Sequence, residues 1–91
     1  MLNVIWRDTA LEDLLQITDY IWERNPVAGV EMEDLLTGSA QQLSGAPYIG
    51  RVGKISGTRE FVAHPNYILV YKIEIGEVHI IRVLHARREY P

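Results

Sequence analysis

Leu2, Val4 and Trp6 alternate with Asn3 and Ile5, the period of a short strand with one face turned inward. From Thr9 the period lengthens. Ala10, Leu14, Ile17 and Ile21 recur at helical spacing, Leu11, Leu15 and Trp22 widen the stripe, and Glu12, Asp13, Asp19 and Glu23 fall mainly outside it. Thr9-Ala10-Leu11-Glu12 fits a capping box, so the helix is expected to start there. It must stop at Asn25-Pro26, because proline drives its predecessor out of the helical region while suiting the first turn of a new helix, which Asn25 would cap. Ala28, Met32, Leu35, Leu36 and Leu43 carry helical spacing on to Gly45, a natural terminator with Pro47 just beyond it. Two helices joined by so few residues are expected to form an antiparallel hairpin.

Between Gly45 and Gly57 the chain holds four glycines, at positions 45, 50, 53 and 57, and reads as a loop or a loosely held edge segment. Residues 58–63, 67–75 and 78–85 then read as three strands, with His64-Pro65-Asn66 and Gly76-Glu77 as the turns between them. If Gly76-Glu77 closes a two-residue hairpin, Ile75 faces Val78, Lys72 faces Ile81 and Ile68 faces His85, and extension through the first turn sets Ala63 opposite Tyr67. One face then collects Phe61, Tyr67, Leu69, Tyr71, Ile73, Val78, Ile80 and Leu84 under the helices, with Arg59 and Arg82 towards its edge. The other collects Glu60, Val62, Ile68, Val70, Lys72, Glu74, His79, Ile81, Val83 and His85. The expected class is α+β: an N-terminal strand, an antiparallel helical hairpin and a three-stranded antiparallel meander forming one sheet.

Composition narrows this further. Ninety-one residues, 47% hydrophobic and 23% charged, make one packed domain spanning 1–91. The absence of cysteine excludes disulfides, thiolate metal sites and a cysteine nucleophile. No apolar run approaches the roughly 18 residues of a membrane span, and Met1-Leu2-Asn3-Val4 lacks the features of a signal peptide, so a cytoplasmic location away from membranes is expected. The net charge of −3 is unevenly divided. Arg7 and Arg24 stand against eight acidic residues up to Gly45, whereas seven basic residues stand against four acidic ones after it, so the second half is the part suited to an acidic partner.

The order of elements, together with Ala10-Leu11-Glu12-Asp13-Leu14, Tyr20-Ile21, Asn25-Pro26, Gly50-Arg51, Gly57-Thr58-Arg59-Glu60, Asn66-Tyr67-Ile68-Leu69-Val70-Tyr71 and Val83-Leu84-His85-Ala86-Arg87, resembles the RelE/ParE superfamily of toxins from type II toxin–antitoxin systems. These strings span nearly the whole chain. The resemblance implies one of two activities: RelE-like members cut messenger RNA on the ribosome, and ParE-like members block DNA gyrase without being nucleases. A third outcome is an inactive relative that only binds its antitoxin.

Metal-independent RNA cleavage needs a base for the 2′-hydroxyl, cations for the phosphorane and an acid for the leaving oxygen. His85 or Glu60 as base, Arg59 and Arg88 as cations and Tyr90 as acid or stacking group are the candidates. Matched on the Tyr-x-Leu-Val-Tyr strand, however, RelE-like nucleases carry an arginine where this chain has Ile68. The chain's acidity is also poorly suited to the phosphate field of a ribosome. The resemblance therefore implies a ParE-like, non-enzymatic toxin whose target contacts are Arg51, Arg59, His85, Arg87 and Arg88. A cognate antitoxin would cover Leu15, Tyr20 and Trp22, and a homo-oligomer is expected only together with that antitoxin. No cofactor is implied. His79 and His85 lie six residues apart, about 20 Å along a strand, too far to share a metal ion. His79 is expected to be an exposed strand residue, His64 a turn residue, and Tyr67 and Tyr71 core aromatics.

Overall fold

A computed structural model describes residues 1–87. The elements are β1 (Asn3–Trp6), α1 (Asp8–Arg24), α2 (Pro26–Gly45), β2 (Arg51–Val52), β3 (Arg59–His64), β4 (Tyr67–Glu74) and β5 (Glu77–His85). They form one five-stranded sheet in the order β1-β5-β4-β3-β2. β1 runs parallel to β5, and every other pair is antiparallel. The expected α+β architecture is present, with the short β2 added at one edge where a loop or loose edge segment was expected.

Asn25 makes the helical hairpin possible. Its backbone N–H donates to Ile21 O at 2.8 Å, closing α1, while its side-chain oxygen accepts from the Ala28 N–H at 3.1 Å, opening α2. Pro26 follows in the first turn, where its missing N–H costs nothing. The helices then approach closely at Gly29, where a Cβ would lie 2.7 Å from the Trp22 Cβ. Their inner faces bring Ala10 and Leu14 of α1 and Leu36, Ala40 and Leu43 of α2 onto Leu69, Tyr71, Val78, Ile80 and Val83 of the sheet. Burial of each large apolar side chain in this cluster contributes about 1.5–3 kcal/mol. Leu35, expected in the stripe, is instead 40% exposed.

Four local expectations are corrected. Residue Arg7, without a side-chain cap, precedes α1; the Thr9 hydroxyl expected to cap it donates to Ile81 O at 2.7 Å. An exposed helix end can be satisfied by water, which leaves the hydroxyl available to the Ile81 carbonyl, at an irregularity of the ladder. The second hairpin closes at Glu74↔Glu77 around Ile75-Gly76, because the positive φ of the turn, +73°, falls on Gly76.

The other two corrections are β-bulges. In β5 the register shifts between Tyr71↔Ile80 and Val70↔Arg82, leaving Ile81 without a partner on β4. One extra residue turns the strand over. Val83 and His85 therefore join Leu69 and Tyr67 on the helix-side face, Leu84 moves to the other, and Ile68 lies opposite Leu84 rather than His85. In β3 a shift between Val62 and His64 sets His64, not Ala63, opposite Tyr67.

Candidate functional site

At the end of the sheet where β3, β4 and β5 meet, His64 pairs with Tyr67 and Tyr67 with His85. Directly paired residues share a face, so the three rings form a row. The His64 and Tyr67 ring centroids are 5.8 Å apart, and those of Tyr67 and His85 are 5.5 Å apart in an edge-on arrangement. All three side chains are half-buried. Each imidazole accepts a backbone N–H two residues on: Asn66 N donates to His64 Nδ1 at 3.0 Å, and Arg87 N to His85 Nδ1 at 3.3 Å. With the lone pair of Nδ1 engaged, the proton of each neutral ring sits on Nε2. The corner is tied down by the Ala86 N–H, which donates to Asn66 O at 2.7 Å. Arg87 is exposed beside it. Arg88 and Tyr90 lie outside the described residues.

Arg51, Arg59 and Glu60 meet at a different place. The segment between α2 and β3 is held by three side chains of the sheet. Tyr71, fully buried, donates its hydroxyl proton to Pro47 O at 2.6 Å and accepts the Gly50 N–H at 3.0 Å. The Arg59 guanidinium donates to Gly50 O at 2.7 and 3.0 Å and to Tyr48 O at 3.3 Å, and lies 5.4 Å from the centre of the Tyr48 ring. Glu60, only 3% exposed, accepts from Arg51 Nε at 3.0 Å and from the Lys54 N–H at 3.2 Å. Gly50 is required by this closeness, since a Cβ there would stand 2.6 Å from both Glu60 O and the Tyr71 hydroxyl. Arg59 faces Tyr71 as expected, but both side chains bind the loop backbone rather than each other.

Glu60 and His85 do not converge. Glu60 pairs with Val70, which neighbours Leu69 and so points away from the face that carries Tyr67 and His85. Three residues of β4, about 10 Å, also separate their positions along the strand. Arg59 shares the face of His85 but sits at the far end of β3, opposite Tyr71.

A second surface lies on the helical hairpin. Leu15, Thr18, Asp19 and Trp22 of α1 and Gly29, Val30 and Glu33 of α2 line an open groove of about 360 Å³. Leu15, Trp22 and Val30 are each at least half exposed. Tyr20 is exposed but outside the groove, with the Arg24 guanidinium 3.7 Å over its ring. Leu15 and Trp22 of the expected antitoxin contacts are thus brought together, and Tyr20 is set apart.

His79, expected to be exposed, has a side chain only 18% accessible. Arg7 Nε donates to its Nδ1 at 3.0 Å, and its Nε2 meets Glu77 Oε1 at 2.8 Å. Glu74 joins this edge through Lys72 and Arg7, 3.7 and 3.9 Å away. Among the described residues no group of three or more histidine or acidic side chains is placed to hold a metal ion, and no helix is long and apolar enough to cross a membrane.

Residues 4–90 match the sequence model of a family described as the ParE toxin of the type II toxin–antitoxin system parDE. The chain is 39% identical over 88 residues to a Caulobacter vibrioides protein named Toxin RelE2, an alignment covering 97% of this chain and 99% of the relative. It is 34% identical over 90 residues to the putative toxin Y4kP of Sinorhizobium fredii, covering 98% and 93%. A chain from the solved structure titled Chromosomal ParDE TA system from P. aeruginosa superposes with a TM-score of 0.82 at 18% identity, covering 93% of this chain and 96% of that one, and so shares the fold.

Proposed function

The chain belongs to the ParE toxin family of type II toxin–antitoxin systems, and from that premise we propose that it arrests growth by binding DNA gyrase rather than by cutting RNA. The observation that carries this reading is the position of Arg59 and Glu60, two of the candidate groups for a nuclease, relative to His85. Glu60 is buried and ion-paired, Arg59 is engaged by two loop carbonyls, and neither approaches His85. A general base and the cation that stabilises a phosphorane must act on one phosphate, within hydrogen-bond reach of it. Ile68, where RelE-like nucleases carry an arginine, sits between Val62 and Leu84 and offers that phosphate no charge.

His85 and Arg87 at the end of β5, with Arg88 next in the chain, form the target-contact region in this reading, and Arg51 of β2 adds a cation that is 61% exposed. Arg59 supports the loop that leads into β2. The cognate antitoxin covers the groove of Leu15, Trp22 and Val30, an exposed apolar surface of the kind that marks a protein interface. Mapping transcript ends after expression without antitoxin tests the reading: arrested growth with no new 5′ ends inside reading frames agrees with it, and codon-register cuts contradict it.

A further inference from the structure

Two irregularities in separate strands converge on one residue. The bulge in β3 brings His64 opposite Tyr67, and the bulge in β5 brings His85 opposite the same tyrosine from the other side. Without either bulge the corresponding histidine would fall on the opposite face. Bulges interrupt the ladder and are found where a side chain must be re-aimed. The product is a His–Tyr–His row across three strands at one corner of the sheet, with Arg87 beside it.

The hydrogen bonds define what the row recognises. Both Nδ1 atoms are engaged by backbone N–H groups, so each imidazole offers an Nε2–H donor. The histidines stand two strand spacings apart, about 10 Å, which excludes a shared metal ion. The fitting partner carries an acceptor at each end and lies flat over Tyr67 between them. In an extended peptide of polyproline II form, with three residues per turn, the side chains of residues i and i+3 share a face about 9 Å apart. A phosphate backbone is held through many cations; within two residues of any member of the row, the cation among the described residues is Arg87. Carboxylates fit this balance better.

We propose that His64, Tyr67 and His85 form one docking row for an extended, acidic segment of the toxin's target protein. This rests on the reading of the chain as a target-binding toxin and adds His64 and Tyr67 to that contact region.

The test is a nuclear magnetic resonance titration of the full chain with the peptide Glu-Gly-Gly-Glu and, in parallel, with a short oligothymidylate. The row predicts that the His64 and His85 ring signals move together with the peptide and stay in place with the oligonucleotide. Movement of His85 alone, movement with the oligonucleotide only, or no movement overturns the proposal. In cells, His64→Asn, whose shorter amide can still accept from the Asn66 N–H but does not reach the position of Nε2, is expected to raise the toxin level needed for growth arrest about tenfold to a hundredfold, the effect of losing one hydrogen bond to a charged group, with antitoxin binding unchanged. Unaltered potency in a variant that still binds antitoxin also overturns it. If both arms behave as stated while gyrase is not inhibited, the row stands and the gyrase reading fails.

Discussion

Asp13 of α1 and Arg82 of β5 are joined by two hydrogen bonds, Nε to Oδ2 at 2.7 Å and Nη2 to Oδ1 at 3.2 Å, immediately beyond the residue that breaks the β4–β5 ladder. The same Oδ2 accepts the Val83 N–H at 2.9 Å. One turn earlier on the helix, Thr9 takes the Ile81 carbonyl. The start of α1 thus receives the polar groups along the edge of β5 at the bulge, and so sets the direction in which the strand runs on to His85.

Asp13→Ala is expected to cost about 2–3 kcal/mol, because it removes charge-assisted hydrogen bonds and leaves the Val83 N–H without its acceptor. Thermal melting should fall by roughly 10–20 °C for a chain of this size. Asp13→Asn, which keeps an acceptor but no charge, should fall in between. The hydrogen bond to Asp13 raises the Arg82 guanidinium above its ordinary value. A raised pKa gives stability that is complete below the unfolded value and lost as pH rises through the folded one, so Arg82 itself contributes no pH dependence until strongly alkaline conditions.

Tyr71→Phe probes the loop before β3. Its hydroxyl is the buried link between Pro47 O and Gly50 N, and removal leaves the Gly50 N–H unsatisfied at a cost of about 1–3 kcal/mol. Amide hydrogen exchange should accelerate selectively from residue 46 to residue 58. Exchange that speeds up uniformly over the sheet would contradict the local role given to this bond.

How much of this was legible in the residues can be judged element by element. The helical hairpin was, because Asn25-Pro26 acts through local chemistry, capping on one side and a fixed φ on the other. The three long strands were, through their alternation. The bulges were not: the one in β5 is held by partners distant in sequence, Thr9 and Asp13 some 70 positions before Ile81 and Val83, and the one in β3 departs from the strict alternation that the residues suggest. Strict alternation therefore puts Val83 on the wrong face and makes His64 an ordinary turn residue. Thr9 misled for a related reason: a capping box describes what a hydroxyl does when nothing else competes for it. Gly50, whose missing Cβ admits Tyr71 and Glu60, is in sequence only one of four glycines in a loop.

The hairpin groove makes a separable prediction. Leu15→Ala and Trp22→Ala remove half-exposed apolar surface that antitoxin would cover, and each is expected to weaken antitoxin binding by about 2 kcal/mol, or roughly thirtyfold. Neither should diminish growth arrest. Isothermal titration with the cognate antitoxin checks the first part, and arrest on expression without antitoxin checks the second. Tyr20→Ala, outside the groove, is expected to have the smaller effect.

In the proposed function the C-terminal end of the sheet binds gyrase instead of performing chemistry on RNA. The most direct measurement is the supercoiling of relaxed plasmid by purified DNA gyrase in the presence of purified toxin. Supercoiling that falls in proportion to toxin, is restored by antitoxin, and is spared by a variant with His85 and Arg87 both changed to alanine is the predicted result. Supercoiling that proceeds at its full rate with toxin in large excess would contradict it.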